Sequence, residues 1–333
     1  MRFGFILAAA ALAVGPALAG SDLAACTSKV GKQTSGAQTV AACTRVLADK
    51  TIAAKTRAAA YYFRGRAYQK KGDADHALAD FSALIQADPQ APAGYFWRGK
   101  LYLDRFDFDR SIADLSAALR RGDRLATAYN WRGLDYYYKG DVKRAIADFD
   151  AAIRIDPSFA GAYWNRGQAH EVAQALQAAL ADYSEVIKRE PKRARGLISR
   201  ALVRIDLGQP ARAVADANAA RRIDPKNAGA LAVRGKAYRA MGALKRAIAN
   251  YQAAVKMKPE LALVYQQGAR ADRAKAGRGP AGKAFPPAQR AVAKEAPTPG
   301  DDSRTELKEL GIDVPAAEHR LVPEGKSLLD VLK

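Results

Sequence analysis

The dipeptide Arg64-Gly65 returns as Arg98-Gly99, Arg132-Gly133, Arg166-Gly167 and Arg234-Gly235, with Arg200-Ala201 in the remaining slot, always 34 residues further on. Other positions keep the same step. Tyr61, Tyr95, Tyr129 and Tyr163 stand three residues before the arginine, and Leu197 and Leu231 take that place later. A small residue follows at Ala77, Ser111, Ala145, Ala179, Ala213 and Ala247. A large apolar one comes four further on at Phe81, Leu115, Phe149, Tyr183 and Tyr251. Pro89, Pro157, Pro191, Pro225 and Pro259 close the period. A chain built this way consists of units that each fail to bury a core alone and must stack on their neighbours.

The skeleton of aromatic, Gly, Ala, aromatic and Pro resembles the tetratricopeptide repeat, a 34-residue helix-turn-helix. The resemblance covers residues 58–261 as six repeats: 58–91, 92–125, 126–159, 160–193, 194–227 and 228–261. It implies an all-α fold, a right-handed superhelical α-solenoid. The repeated Gly and Ala let the two helices of a repeat approach closely, and the aromatic fills the space between repeats. Gly72-Asp73 and Gly140-Asp141 fall between the two helices, where Gly ends one in the left-handed conformation and Asp caps the next. Asp88-Pro89 and Asp156-Pro157 stop the second helix.

Some repeats depart from the skeleton. Phe106 and Gln174 occupy the turn position where Gly is usual, and Asp123 stands where Pro is usual. The fifth repeat has Ala201 for Gly, Arg204 for Tyr and Ala217 for the aromatic, which we read as drift with the fold intact. An aspartate follows each of the first five arginines by sixteen residues. Across antiparallel helices we expect structural ion pairs Arg64–Asp80, Arg98–Asp114, Arg132–Asp148, Arg166–Asp182 and Arg200–Asp216.

Residues 1–19 read as a secretory signal: a basic start at Arg2, an apolar run from Phe3 to Val14, a break at Gly15-Pro16, and Ala17-Leu18-Ala19 before the cleavage point. Cleavage after Ala19 gives a periplasmic or secreted protein. Ser21 stands where a lipoprotein box needs Cys, so no lipidation is expected, and no later stretch is long enough for a transmembrane segment. The only cysteines, Cys26 and Cys43, are expected to pair in an oxidising compartment, contributing roughly 3 kcal/mol. With the helix at Gln38–Ala48 they form an N-terminal cap over residues 20–57, Cys43 in the small position and Leu47 in the aromatic one. Residues 262–275 read as a C-terminal capping helix, 276–300 as a Gly- and Pro-rich linker, and 301–333 as a tail that is either disordered or carries short docking segments.

The formal net charge is +20. In an exported protein it points away from nucleic acid. It either keeps an elongated surface soluble or favours acidic protein segments or an anionic envelope surface. His76, His170 and His319 show no metal-ligand spacing, and the carboxylates recur with the repeat. No nucleophile elbow, phosphate loop or dinucleotide fingerprint is present. We therefore expect no enzyme, cofactor or metal.

The resemblance further implies that the first helices line a concave groove. The positions they present are Tyr62, Arg66 and Gln69, then Phe96, Lys100 and Leu103, then Asn130, Leu134 and Tyr137, then Trp164, Gln168 and Glu171. Trp97 and Trp131, one residue along, are assigned to packing. Aromatic rings beside basic heads suit a protein or peptide partner with acidic and apolar side chains. The expected function is an interaction scaffold outside the cytoplasm. The alternative is an electrostatic module for an anionic envelope glycan or lipid head group.

Overall fold

The computed structural model describes residues 20–27, 35–122 and 126–258. The leader at 1–19, the closing helix at 262–275, the linker and the tail lie outside the described residues. The described elements are all α-helices: α1 (Gly20–Thr27), α2 (Gly36–Ala48), α3 (Ala54–Lys71), α4 (Ala74–Ala87), α5 (Pro92–Asp104), α6 (Phe108–Arg121), α7 (Ala126–Tyr138), α8 (Val142–Ile155), α9 (Ala160–Val172), α10 (Leu176–Arg189), α11 (Arg195–Asp206), α12 (Pro210–Ile223), α13 (Ala228–Ala240) and α14 (Leu244–Met257). The chain divides into two compact stacks between Ala175 and Leu176.

Local chemistry sets the helix ends. Asp73, Asp107 and Asp141 cap α4, α6 and α8, each accepting a backbone N–H three residues on. Gly140 has φ +80°, and an L side chain there is strained. Phe106 and Gln174 hold the same left-handed turn at φ 59° and 58°, so the turn survives the loss of glycine at a cost in backbone strain.

Inside each stack, a first helix packs on its own second helix and on the second helix of the preceding repeat. First helices also meet one another, α5 with α7 and α7 with α9 in the first stack and α11 with α13 in the second; second helices make no comparable contact. The layer of first helices is therefore the closer-spaced, inner side of each stack. Phe81, Leu115, Phe149 and Tyr183 are fully buried between the layers. A Cβ on Gly133 would come within 2.7 Å of the Phe149 ring, which explains the glycine at that position. In the fifth repeat Ala201 tolerates its Cβ because Ala217 leaves no ring to meet; both are fully buried, in keeping with drift that preserves packing.

The N-terminal cap corrects the register expected for it. Thr39, Ala42, Cys43 and Val46 are the buried residues of α2, and they match Ala77, Asp80, Phe81 and Leu84 of α4. Cys43 thus takes the aromatic position rather than the small one, and Leu47 is only partly buried. The cause is α3, which runs 18 residues against 13 for α5 and starts at Ala54, a turn ahead of residue 58. The extra turn pushes the cap back by four residues. Cys26 and Cys43 are joined in a disulfide, tying α1 to α2.

The arginine column crosslinks the layers. Arg64, Arg98, Arg132 and Arg200 reach Asp80, Asp114, Asp148 and Asp216, each at a closest 2.7 Å. Each pair is bidentate through Nε and Nη2. The third arm, Nη1, donates to the preceding second helix: to Thr44, Ser82, Ser116 and Ser184. Every such arginine therefore joins three helices. Pairing with Asp80 and Asp114 raises the Arg64 and Arg98 pKa values above the ordinary one. Arg166 uses the same third arm, Nη1, to donate to Asp150 of α8 at 2.5 Å, and Asp182 is buried in α10.

Candidate functional site

All the expected groove positions lie on α3, α5, α7 and α9 of the first stack. Four of them prove to be packing residues, Leu103 at 8% exposure among them. Phe96 is 3% exposed in a cluster with Leu115, Ala118 and Leu119. Asn130 is 5% exposed and accepts a hydrogen bond from Asn165 Nδ2 at 2.8 Å, which ties α7 to α9. Trp164 is 8% exposed. Tyr62, Arg66, Gln69, Lys100, Tyr137, Gln168 and Glu171 are half-buried.

The tryptophans assigned to packing do more than pack. Trp97 and Trp131 are half-buried and lie edge to face, with ring centroids 5.9 Å apart. Phe96 holds both from behind, stacked on Trp131 at 4.6 Å and edge-on to Trp97 at 5.0 Å. The Arg66 guanidinium lies over the Trp97 ring with its carbon 3.3 Å from the centroid. The Lys100 ammonium lies 5.4 Å from the centre of Trp131 and pairs with Asp104 one turn on. The result is one strip, Arg66–Trp97–Trp131–Lys100, crossing three consecutive first helices. Buried rings give such a strip rigid apolar area, and the cations lie on their electron-rich faces. Its sequence signal was the pair of tryptophans at the same place in the second and third repeats.

Burial pulls the Arg66 pKa down from its ordinary value, against a smaller opposing effect of Tyr62. The group stays charged, since arginine is not deprotonated in proteins.

Two further features escaped the sequence reading. Along the turn edge, Phe106 is 72% and Tyr138 51% exposed, and Phe108 stacks on Tyr138 at 5.6 Å. Phe106 and Phe108 border an open cleft of about 390 Å³ lined by Arg105, Asp107, Asp109 and Lys139 as well. The signal was an aromatic at a turn that elsewhere takes glycine. Between α6 and α7, the carboxyl of Asp135 is fully buried, with Oδ2 2.6 Å from Ser111 Oγ, which also lies 2.9 Å from the carbonyl of Gly99. Asp135 Oδ1 has no partner. Burial pushes this carboxyl up to about 7, against the smaller opposing effect of the Ser111 hydrogen bond. The signal was a charged residue where Ala67, Leu101 and Ala169 stand in neighbouring repeats.

His76 is exposed, stacked on Tyr68 and 2.9 Å from Asp73. Among the described residues, no group of three or more His, Cys, Asp or Glu side chains could hold a metal ion, and no helix is long and apolar enough to cross a membrane.

The sequence was compared with families and structures of known proteins. The profile described as "TPR repeat" matches residues 133–171, and that described as "Tetratricopeptide repeat" matches 62–126 and 198–262. No curated protein matches in sequence. Among solved structures, a tetratricopeptide repeat protein from Parabacteroides merdae is 18% identical with a TM-score of 0.52, over 67% of this chain and 87% of its own. The pilF protein of Pseudomonas aeruginosa is 15% identical with a TM-score of 0.56, over 64% of this chain and 97% of its own. At such identities the likeness is one of fold. With the profiles on both stacks and the glycine, aromatic and aspartate columns in their places, the chain belongs to the tetratricopeptide-repeat family.

Proposed function

We propose that this protein is an interaction scaffold that acts outside the cytoplasm and captures a segment of a partner protein, with acidic and apolar side chains, along the inner face of its first stack. The strip Arg66–Trp97–Trp131–Lys100 carries the reading. It offers two half-buried indoles held by Phe96 from behind, and aromatic and arginine side chains anchored this way dominate binding energy in protein interfaces. Export is supported by the Cys26–Cys43 disulfide, a bond that persists in oxidising compartments.

Site-specific photocrosslinking tests the surface. A photoreactive amino acid at Gln69 or Tyr137, on the inner face, crosslinks to a discrete protein in intact cells. The same group at exposed Lys143, on a second helix, does not. Equal crosslinking from both faces, or crosslinks abolished by moderate salt whatever the partner, would favour a diffuse electrostatic surface instead. N-terminal sequencing of the protein from the envelope fraction tests export; a start at Gly20 is expected, and an intact Met1 in the cytosol contradicts it.

A further inference from the structure

The helix-joining arginines of the first stack meet carboxylates: Arg64, Arg98 and Arg132 end on Asp80, Asp114 and Asp148. Arg66 does not. Its guanidinium is half-buried on the Trp97 face, and among the described residues no carboxylate or other acceptor reaches it. Nη1 is buried without a partner. Nε and Nη2 are not buried in this way, so one edge of the fork stays open to an incoming group. The other inner cation, Lys100, is already neutralised by Asp104. A cation taken partly out of water without its counter-charge is electrostatically incomplete, and a planar fork is completed best by a carboxylate.

Resting on the groove reading above, we infer that Arg66 and Trp97 form a receptor for a single carboxylate, the side chain of an Asp or Glu inside the captured segment, whose apolar neighbour lies on Trp131. One open fork edge accepts one acid, so the preference is for one acidic residue at one place rather than for acidic stretches. The Trp97 ring fixes the plane of the fork, which gives the contact direction as well as charge. Lys100 lies over the Trp131 ring and, paired with Asp104, contributes little net charge of its own.

The test is selection of a random dodecapeptide library on the full chain, followed by synthesis of the selected sequence with both termini blocked. The expected consensus has one acidic position beside an apolar one. Replacing that acid by its amide weakens binding about tenfold or more. In Arg66→Met, whose apolar stem still covers Trp97, the same replacement has no effect. The peptide swap on the unaltered protein keeps the test valid if that variant folds poorly. Selected peptides that compete at the inner face but bind equally with acid or amide overturn the carboxylate receptor and leave the groove standing. Peptides that need a free C-terminus overturn the internal side chain as the source. Selected peptides whose binding ignores Trp131→Ala overturn the groove reading itself, and this inference with it.

Discussion

Asp135 is expected to make the first stack less stable as pH rises, and replacing it by Asn should remove that dependence. The carboxyl has 0% exposure, one hydrogen-bond partner and an oxygen with none. Ser111 has one hydroxyl proton and faces both the Gly99 carbonyl and Asp135. With Asp135 protonated, the acid donates to Ser111 and Ser111 donates to Gly99, so every proton has an acceptor. Ionisation takes away that first donor and leaves a charge in an apolar layer. The side chains of the packed helices bring no compensating cation, since Arg98 on α5 and Arg132 on α7 are committed to Asp114 on α6 and Asp148 on α8. The folded pKa is about 7, against 3.8 for the unreacted group. It is raised, so the folded chain holds the proton more tightly: stability is full below 3.8, falls as pH rises towards 7, and is flat above. The whole drop is about 4 kcal/mol. Urea unfolding followed by tryptophan fluorescence, which reports Trp97 and Trp131 beside this contact, should give a difference between Asp135→Asn and the unaltered protein that grows by several kcal/mol from pH 4 to pH 8. Ser111→Ala with Asp135→Leu copies the Ala77–Leu101 contact one repeat earlier and should gain at pH 8 as well. Parallel pH profiles for the unaltered protein and Asp135→Asn would refute the reasoning.

Other outcomes follow from the same geometry. Phe106→Gly and Gln174→Gly should each stabilise the chain by about 1 kcal/mol by removing a left-handed strain at an exposed turn, read as a higher melting temperature; a loss in both would show that these side chains hold the turn. Asp114→Ala leaves Arg98 half-buried without its counter-charge and should cost about 3 kcal/mol in denaturant titration, whereas Asp109→Ala, an exposed pair with Lys139, should cost under about 1 kcal/mol. Reducing Cys26–Cys43 should cost about 3 kcal/mol and loosen α1 and α2 first, measured as faster amide exchange there while α5–α8 stay protected.

The fold was legible because stacking enforces a strict period: the glycine, aromatic and aspartate columns each answer one contact that most of the repeats make. The arginine–aspartate pairs could be read from a spacing of sixteen for the same reason. Much of what escaped the sequence broke or shifted the period. The extra turn of α3 moved the cap by four residues, which only burial of Thr39, Cys43 and Val46 reveals. The third arm of each arginine has a pattern of its own that went unread: Ser82, Ser116, Asp150, Ser184 and Asn218 also recur every 34 residues, sixteen before their arginine. In the groove, position on a helix did not decide exposure. Phe96, Leu103, Asn130 and Trp164 sit where contact was expected, yet each is buried. Trp97 and Trp131, one residue along, stay half-buried.

Capture by the inner row is tested most directly by calorimetry of one selected peptide against three proteins: the unaltered chain, Trp131→Ala, and Phe106→Ala on the turn edge. Trp131→Ala should weaken binding at least tenfold, as loss of a central aromatic anchor does, and Phe106→Ala should leave it unchanged. Tight binding that survives Trp131→Ala and fails with Phe106→Ala would place the partner on the turn edge and contradict the assignment of the groove.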